Sequence, residues 1–354
     1  MRVLFAAGGT GGHLYPAFAI ARRLRDRGDD VAFVGTRERL ESRLVPAEGY
    51  PLFTISAHPL ARRASLDVLR TLARNAAGVV QSLRLLARIR PDMLVATGGY
   101  VCVPVVLAAR IRRALLRARV PIALLEPNAV PGVASRFLSK RIDEIWDAKS
   151  TGVPVRSSLL HLPRRDEASG RLGLDPAKKT LLVFGGSQGA QAINDAVAAL
   201  VESGGVPEGW QLLHVSGERD YERVRNASAG RWKVRPYLDD PADAYAASDL
   251  ALARAGASTL AELEALGLPA ILVPYPHHAD AHQRANAQAV ATRGAAVIVD
   301  DAAVSQRLGS ILKEVCDPQR LAAMGASARG ARRDAAAEIV ARIDALVARR
   351  EGPS

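Results

Sequence analysis

The chain of 354 residues carries a formal net charge of +12, is 49% apolar and contains two cysteines, Cys102 and Cys316. A chain of this length predicts two domains, each large enough to bury its own core. The composition excludes a disulfide framework and a transmembrane helix, and the N-terminus lacks a signal-peptide pattern, so we expect a cytosolic protein.

The chain opens with an apolar, strand-like run that enters a loop with four glycines, Gly8 to Gly12. His13 follows, and a helical apolar pattern begins at Ala17. Glycines allow close approach of a ligand, and a helix N-terminus favours an anion. We therefore predict a site for phosphate or for developing negative charge, with His13 at its edge. The alternative is a tight turn beside a solvated histidine. The dinucleotide spacing fails, because Leu14 stands where its third glycine should be.

Strand-like and helix-like stretches alternate through the first half. A polar segment that ends near Gly49 lies between the predicted strands Val31–Val34 and Leu52–Ile55. The predicted elements are strands at Val31–Val34, Leu52–Ile55, Pro91–Thr97 and Pro121–Leu125, and a long helix from Ser65 to Arg90. This alternation predicts a parallel sheet with functional loops at the carboxyl ends of its strands. Two such loops are Gly98-Gly99-Tyr100 and Glu126-Pro127-Asn128.

After a linker-like stretch at residues 152–165, the opening pattern recurs without its histidine. A strand at Thr180–Phe184 enters the glycine loop Gly185–Gly189, and a helix follows from Ala190. Further strands are predicted at Gln211–Val215, Leu250–Ala253 and Ala270–Val273, and a final helix at roughly Ala335–Arg350. We predict an α/β protein of two doubly wound, Rossmann-like domains that face each other across a deep cleft. The domains are residues 1–156, against which helix 335–354 packs, and residues 157–334.

The positive charge is concentrated in the first domain. Residues 1–156 hold 25 Lys and Arg against 12 Asp and Glu, a net of +13, which leaves −1 for the remaining 198 residues. This asymmetry predicts an anionic surface as partner, either nucleic acid or acidic lipid headgroups. The alternative is that arginines merely solvate the helices.

A polar cluster in the second domain runs from Arg254 to Glu262. A strand delivers Gly256, Ala257 and Ser258 to a helix start, where small residues and backbone N–H groups suit a diphosphate. Glu262 then suits paired ribose hydroxyls; alternatively, it stabilises the helix N-terminus. Downstream lie three further polar residues, of which the first and third share a helical face: His282, Gln283 and Asn286.

A metal site is disfavoured by spacing. The cluster His277, His278, Asp280 and His282 matches no zinc signature, and the chain contains neither an Asp-x-Asp pair nor a Gly-Lys-Ser/Thr P-loop. We expect no metal and no ATP hydrolysis. The charge of a diphosphate would then be met by helix dipoles, backbone N–H groups and an arginine such as Arg156.

These motifs together resemble the MurG family, in the order seen there, from residue 1 to about residue 345. They are Gly8–His13, Gly98–Tyr100, Glu126–Asn128, Gly152–Arg156, Gly185–Ala190, Arg254–Ala257, Glu262 and His282–Asn286. The resemblance implies a GT-B fold and inverting transfer of N-acetylglucosamine (GlcNAc) from UDP-GlcNAc. The implied acceptor is the C4 hydroxyl of lipid I, undecaprenyl-pyrophosphoryl-MurNAc-pentapeptide, which becomes lipid II in peptidoglycan synthesis. The sequence departs from the family pattern at Leu125, Pro127 and Val153.

The resemblance also implies roles for individual residues. His13 is the favoured catalytic base, and Glu126 is the competing one. Gly98, Gly99 and Tyr100 lie on the acceptor side, where the glycines at 8 to 12 also form walls. The implied donor contacts are Thr10, Gly11, Gly12, Asn128, Arg156, Ser187, Leu238, Ser258, Glu262, His282, Gln283 and Asn286. No cofactor or metal is implied.

The implied partners are UDP-GlcNAc, lipid I, an anionic membrane and other cell-wall synthesis proteins, and not nucleic acid. The implied location is the cytoplasmic face of the cell membrane, as a peripheral protein. We expect Arg110–Arg119 and Leu66–Val80 to dock on the bilayer, with Ile111 and Leu115 on one face. The alternative is a solvated helix whose apolar side packs in the core.

Three other functions remain open from the sequence. The chain could be another GT-B glycolipid glycosyltransferase, a UDP-sugar 2-epimerase or a non-catalytic membrane-bound scaffold of cell-wall synthesis. An epimerase should need carboxylates for proton chemistry at C2, and only Glu126 is an obvious candidate. The presence of both His13 and Glu262 argues against a scaffold.

Overall fold

The computed structural model describes residues 1–59, 66–116, 119–186, 189–276, 281–329 and 334–350. The chain divides into two compact units, which we call unit 1 and unit 2. Unit 1 comprises Met1–Val155 and Asp334–Ser354, and unit 2 comprises Arg156–Arg333.

Unit 1 is a six-stranded parallel sheet with helices on both faces. Its strands are β1 (Arg2–Ala6), β2 (Asp30–Gly35), β3 (Leu52–Thr54), β4 (Met93–Ala96), β5 (Ile122–Glu126) and β6 (Glu144–Asp147). Its helices before the unit boundary are α1 (Gly11–Asp26), α2 (Leu40–Ala47), α3 (Leu66–Ile89), α4 (Cys102–Leu116) and α5 (Val133–Leu138).

The strand order in unit 1 is β3-β2-β1-β4-β5-β6, with parallel pairing throughout. The order reverses between β1 and β4, and ligands of open α/β sheets bind beyond the carboxyl ends of the strands at this switch point. The loops that follow β1 and β4 are the two predicted glycine loops, so both lie at this point.

Unit 2 repeats this architecture. Its strands are β7 (Lys179–Phe184), β8 (Trp210–Val215), β9 (Lys233–Arg235), β10 (Leu250–Ala253), β11 (Ala270–Leu272) and β12 (Ala296–Ile298). Its helices are α6 (Arg165–Leu172), α7 (Gln191–Glu202), α8 (Tyr221–Ser228), α9 (Ala242–Ala246), α10 (Ala257–Leu266), α11 (Ala281–Ala291), α12 (Val304–Val315) and α13 (Pro318–Arg329). The order β12-β11-β10-β7-β8-β9 is the same doubly wound arrangement, with the switch point between β7 and β10.

Alternation along the central strands builds two apolar layers in each unit. Val3 and Phe5 of β1 face one core cluster, whereas Leu4 and Ala6 face the other. Buried parallel strands covered on both faces have this nearly continuous apolar sequence. Each sheet is therefore a rigid platform for the loops at its carboxyl edge.

The last helix, α14 (Ala335–Arg350), belongs to unit 1. Ile339, Ile343 and Leu346 lie at helical spacing and are buried in the core cluster that contains β1 and α1. Ion pairs flank this apolar stripe: Arg27 binds Asp344, with 2.7 Å between Nη2 and Oδ1. The terminal helix thus covers α1, the helix that starts with the first glycine loop.

The structure corrects several expectations about local structure. Helix α1 begins at Gly11, within the predicted glycine loop, so His13 lies inside its first turn. The polar segment before Gly49, for which no helix was predicted, contains α2, whose short length and internal Pro46 hide the helical period. Strands β6, β9 and β12 were not predicted, since three or four residues of mixed exposure carry little periodic signal.

None of the helices in the described ranges is long and apolar enough to cross a membrane.

Candidate active site

His13 lies at the switch point of unit 1, with a partly buried side chain. Its Nδ1 is 3.2 Å from the carbonyl oxygen of Gly8 and 3.5 Å from Oγ1 of Thr10. A carbonyl oxygen can only accept, so Nδ1 carries the proton and Nε2 is the basic nitrogen. The alternative of a solvated histidine beside a tight turn is therefore wrong for this side chain.

Burial lowers the pKa of His13, against the opposing effects of the Gly8 carbonyl and of the carboxylates of Glu126 and Glu41. Desolvation disfavours the charged imidazolium, and here it outweighs the two negative charges. His13 is consequently a neutral imidazole at pH 7, the form that can accept a proton.

The second glycine loop packs against the imidazole. Gly98 and Gly99 adopt φ of +84° and +76°, a region that side chains rarely enter. A methyl group on Gly98 would lie 3.3 Å from Nε2 of His13, and one on Gly99 would lie 3.2 Å from Cε1. The two loops predicted from sequence therefore meet at His13, and glycine keeps the space beside Nε2 open.

Glu41 of α2 fixes the first glycine loop. Its buried carboxylate accepts the backbone N–H of Gly9 at 3.0 Å through Oε2. Its Oε1 accepts the backbone N–H and the hydroxyl of Thr36, at 3.0 and 2.6 Å. Sequence reasoning missed Glu41 because it lies on α2, in a polar segment for which no helix was predicted. A lone glutamate beside Leu40 and Leu44 gives no signal of its role.

Glu126, the competing base, ends β5 and is buried. Its Oε1 accepts the backbone N–H and the side-chain amide of Asn128, at 3.0 and 2.9 Å, and Oε2 faces the backbone N–H of Gly132 at 3.3 Å. The carboxylate thus organises the loop between β5 and α5. Because the oxygens of Glu126 accept hydrogen bonds from this loop, we interpret Glu126 as a residue that positions the loop.

Two further residues complete the wall around the second glycine loop. Tyr100 is partly exposed, and its ring lies 3.4 Å from the position that a Cβ on Gly9 would occupy. Cys102 is buried and donates to the carbonyls of Ala6 and Gly98, at 3.0 and 2.8 Å from Sγ. Burial raises the pKa of this thiol to about 12, so it stays protonated and acts as a donor.

The glycine loop of unit 2 lies at the corresponding switch point. Gly189 adopts φ of +73°, and a Cβ there would overlap the carbonyl of Ser216 after β8. Beneath it, Asn194 of α7 donates to Ser216 O and to Oδ2 of Asp220, both at 3.0 Å. Oδ1 of Asn194 lies 2.9 Å from Nε2 of the buried His214. Ser187, a predicted donor contact in this loop, lies outside the described residues.

His214 differs from His13 in its surroundings. Burial lowers its pKa to about 4, helped by the positive charge of Arg223. Within the described part of the chain its Nδ1 has no hydrogen-bond partner. His214 is therefore a neutral core residue that orients Asn194 from below the loop.

Glu262 is buried on α10, near the other loop of this switch point. Its Oε2 accepts the hydroxyl of Tyr245 at 2.7 Å, and its Oε1 lies 3.5 Å from Nε of Arg156. Arg156 also donates from Nη1 to the carbonyl of Asp239 at 2.8 Å. The structure thus joins Arg156, Glu262 and the loop that holds Leu238. The alternative of Glu262 as a helix-end stabiliser is wrong, because its carboxylate contacts these side chains.

Burial raises the pKa of Glu262, although Arg156 and Tyr245 act in the opposite direction. Burial of the phenol raises the pKa of Tyr245, and the carboxylate of Glu262 raises it further. The phenol consequently remains a donor and holds one carboxylate oxygen in place.

The remaining predicted residues of unit 2 lie on α10, on α11 and in the segment after β9. Ser258 is partly buried in the first turn of α10, and Leu238 is partly buried against the core. Gln283 accepts the backbone N–H of Tyr275 at 3.1 Å through Oε1. Asn286 is buried and donates to the carbonyl of Ala255 at 3.4 Å.

His282 is partly buried, and its Nδ1 has no hydrogen-bond partner in the described ranges. His282 and Asn286 lie four residues apart on α11 and share a face, as expected.

Two family models match the chain. The glycosyltransferase family 28 N-terminal domain covers residues 3–146, and its C-terminal domain covers residues 180–340. A relative from Chlorobium limicola is 40% identical over 97% of this chain and 98% of its own length. Another, from Halothermothrix orenii, is 36% identical over 93% and 94%. Both are named "UDP-N-acetylglucosamine--N-acetylmuramyl-(pentapeptide) pyrophosphoryl-undecaprenol N-acetylglucosamine transferase".

The crystal structure of Acinetobacter baumannii MurG is similar to this chain with a TM-score of 0.77 at 27% identity, covering 97% of this chain and 99% of that one. The chain belongs to the MurG family. The predicted family and the predicted GT-B fold class are thereby confirmed, and a MurG-family chain is a glycosyltransferase. The calicheamicin glycosyltransferase CalG4 shares the fold, with a TM-score of 0.67 at 16% identity.

In this MurG-family chain the predicted site residues separate between the two units. Thr10, Gly11, Gly12 and Asn128 lie in unit 1 with His13, whereas the other predicted donor contacts lie in unit 2. Thr10 precedes α1, which starts with Gly11 and Gly12 and has no acidic residue in its first turn. This helix N-terminus therefore suits an anionic group.

Tyr245 is a second residue that sequence reasoning missed. It lies in the short helix α9, and the surrounding Ala-Tyr-Ala sequence has no signature of a site. Its importance follows only from its contact with Glu262. For metals, no group of three His, Cys, Asp or Glu side chains in the described ranges could hold an ion, and His277, His278 and Asp280 lie outside those ranges.

Proposed function

We propose that this chain transfers N-acetylglucosamine from UDP-GlcNAc to the C4 hydroxyl of the muramyl sugar in undecaprenyl-pyrophosphoryl-MurNAc-pentapeptide, converting lipid I to lipid II in peptidoglycan synthesis. The substrates are inferred from the name shared by relatives that match nearly the whole chain. The observation that carries the chemistry is the position of His13, a neutral imidazole between two glycine loops at a switch point.

The proposed reaction is a single inverting displacement. The acceptor C4 oxygen attacks the anomeric carbon of GlcNAc, and the bond from that carbon to the UDP oxygen breaks. The C4 proton passes to Nε2 of His13, and the leaving UDP keeps the electron pair. A positioned general base contributes typically about 10²–10⁴-fold to such a rate. His13 is preferred over Glu126, because the carboxylate oxygens of Glu126 already accept hydrogen bonds from their own loop.

We assign the donor to unit 2. Glu262 accepts the ribose hydroxyls, and the backbone at Leu238 contacts the uracil. Ser187, Ser258 and the N-terminal end of α10 meet the diphosphate, with Arg156 nearby. His282, Gln283 and Asn286 hold the sugar. We further propose donor contacts from Thr10, Gly11, Gly12 and Asn128.

We also propose that no metal or other cofactor takes part. The cationic Arg156 and the backbone N–H groups of α10 would stabilise charge on the leaving diphosphate. Activity that survives exhaustive chelation with EDTA is the expected result, and loss restored by Mg²⁺ would contradict it.

The proposal is tested with radiolabelled UDP-GlcNAc and a lipid I analogue. We expect label in the lipid product and release of one UDP per transfer, only when the acceptor is present. Transfer to an unrelated glycolipid alone would indicate a different glycosyltransferase. Acceptor-independent epimerisation of the donor, or no turnover, would overturn the proposal. The His13→Ala variant controls for contaminating activity.

We further infer that the chain is a peripheral protein at the cytoplasmic face of the cell membrane. Several large apolar side chains of α3 and α4 are exposed, including Leu69 at 65%, Leu115 at 76% and Leu116 at 65%. Arg110 and Arg112 accompany them on α4. An amphipathic surface of this kind gains from burial of apolar area and from attraction to anionic headgroups. The side chain of Leu66, and Arg117, lie outside the described residues.

Flotation with vesicles containing anionic lipid tests this inference. We expect Leu115→Asn with Arg112→Glu to reduce binding severalfold. Arg219→Glu is the matched control, since this side chain is 69% exposed in unit 2. Equal flotation of the double variant and the wild type would exclude α4 as the docking surface. Association with other cell-wall synthesis proteins remains part of the proposal, to be checked by pull-down with the membrane-bound chain.

A further inference from the structure

A cavity of about 340 Å³ opens beside the first glycine loop of unit 1, at the carboxyl ends of β2 and β3. Apart from Tyr100, its lining residues have no part in the proposed transfer. Its walls include Thr36, Arg37, Glu38, Arg39, His58 and Tyr100, so that one carboxylate and two guanidinium groups line it. It lies at the edge of the sheet where ligands of doubly wound folds bind.

A chain of contacts through the first glycine loop connects the cavity with His13. Gly8 contacts Nδ1 of His13 through its carbonyl, and the next residue, Gly9, donates its N–H to Glu41. Glu41 in turn accepts from Thr36, which lines the cavity. Tyr100 borders both sides, since it lines the cavity and its ring packs near Gly9. A substrate group attached close to the reacting hydroxyl can therefore reach the cavity.

The cavity is lined by two cationic side chains without carboxylate partners. Some other arginines of unit 1 pair with carboxylates, such as Arg22 with Glu48 and Arg27 with Asp344. Among the described residues, no carboxylate oxygen lies within 4.0 Å of the guanidinium nitrogens of Arg37 or Arg39. Arg37 donates from Nε to Oγ1 of Thr54 at 3.2 Å, which orients its guanidinium. Such a planar donor fork matches a carboxylate.

The opposite wall is held in place by α3. Asn75 clamps His58 by accepting its backbone N–H at 2.9 Å and donating to its carbonyl at 3.1 Å. Gln81 accepts the N–H of Ser56 at 2.7 Å. A Cβ on Gly78 would overlap the carbonyl of Ser56, so this helix can approach the wall only with glycine there. The cavity is thus a preorganised part of the unit.

We propose that this cavity binds the peptide of the acceptor, with Arg37 and Arg39 pairing with its carboxylates. The inference rests on the proposed function. In an N-acetylmuramyl sugar the peptide is attached through the lactyl ether on C3, next to the C4 hydroxyl, whereas the pyrophosphate is on C1. With the C4 hydroxyl at His13, the peptide is the substituent that starts nearest the reacting atom. The pyrophosphate starts from C1, across the sugar ring from C4, which leaves the cavity for the peptide.

The test uses two acceptor analogues that differ only in the peptide, one with free carboxylates and one with all carboxylates amidated. Both keep the pyrophosphate, so an effect on phosphate binding would appear with both. The variant is Arg37→Glu with Arg39→Glu, and the matched control is Arg43→Glu, an exposed arginine of α2 outside the cavity. We measure KM and kcat for each acceptor, and KM for UDP-GlcNAc.

We expect the double variant to raise KM at least tenfold for the free-carboxylate acceptor, with KM for the amidated acceptor and for the donor unchanged. Arg37→Lys with Arg39→Lys should recover part of the loss, because charge is kept while the bidentate geometry is not. Equal effects on both acceptors, or none, would overturn the peptide assignment while leaving the transferase intact. No transfer by the wild type to either acceptor would instead overturn the proposed function, and this inference with it.

Discussion

Units 1 and 2 have the same strand order and the same glycine loop after the first strand, yet the two loops are built for different tasks. In unit 1 the loop leads to His13, with open space kept by Gly98 and Gly99. In unit 2 the loop packs against Ser216, and its histidine, His214, lies buried beneath it. Both imidazoles have lowered pKa values, but only one borders a site. Topology thus fixes where a ligand binds, and the side chains at that point decide what happens to it.

The charges of the two units differ in the same way. Unit 1 contains almost all of the excess positive charge. Among the described residues, Arg37 and Arg39 at its cavity have no carboxylate partner. Unit 2 buries its key charges against one another, as in the group of Arg156, Glu262 and Tyr245. A neutral unit with a preorganised polar pocket suits a small nucleotide, and a basic unit suits a large anionic acceptor.

The largest expected effect is on the histidine of unit 1. His13→Ala should lower kcat about 10²–10⁴-fold, because the general base is lost. UDP binding, measured by calorimetry, should change less than twofold, since the donor contacts of unit 2 remain. Because the pKa of His13 lies below 6.5 and the base form exists above it, the wild-type rate should be flat through neutral pH and fall only in acid. Unchanged kcat would contradict the role of His13.

Glu126→Gln separates the two candidate bases. The amide oxygen of glutamine can still accept hydrogen bonds from Asn128, so we expect a fall in kcat of less than about tenfold and an unchanged pH profile. A loss as large as that of His13→Ala, with disappearance of the acid limb, would assign the proton to Glu126.

The histidine of unit 2 should affect stability rather than catalysis. Its pKa of about 4 lies below the ordinary 6.5, so the unfolded state binds the proton first as the pH falls. The contribution of His214 to the free energy of unfolding is fully present above pH 6.5 and is lost as the pH drops through about 4. A pKa difference of this size corresponds to roughly 3 kcal/mol in the free energy of unfolding.

Urea unfolding at pH 7.5 and pH 5 measures this contribution. In a Trp146→Phe background, fluorescence reports only Trp210 and Trp232, both of unit 2. We expect unit 2 to lose stability at pH 5, and His214→Gln to show a smaller difference between the two pH values. The same pH dependence in both proteins would exclude His214 as its source.

The strength of the local sequence signal decided which features of the two units could be predicted. Strands β1 and β7 combine an apolar run with a glycine loop, and this strong local signal revealed both units. Glu41 and Tyr245 could not be recognised, because they act on partners 32 and 17 residues away that only the fold brings close. The start of α1 was misplaced, since glycines at 11 and 12 oppose helix formation locally and tertiary packing overrides them.

The smallest effect that still distinguishes the units is expected at Tyr245. In unit 2 the phenol holds Oε2 of Glu262, which leaves Arg156 opposite Oε1. Glu262→Ala should weaken UDP binding about tenfold to hundredfold, because a charge-assisted hydrogen bond to the ribose is worth about 1.5–3 kcal/mol.

Tyr245→Phe keeps the carboxylate and removes only its orientation, so the loss should be about threefold to tenfold. This loss should vanish in the Glu262→Ala background, since Tyr245 acts through that carboxylate. Additive losses in the double variant would mean that the phenol contacts the nucleotide directly. The contact between Tyr245 and Glu262 lies wholly within unit 2. His13→Ala should therefore leave the losses of UDP binding caused by Glu262→Ala and Tyr245→Phe unchanged. A change in either loss would contradict the division of tasks between the two units.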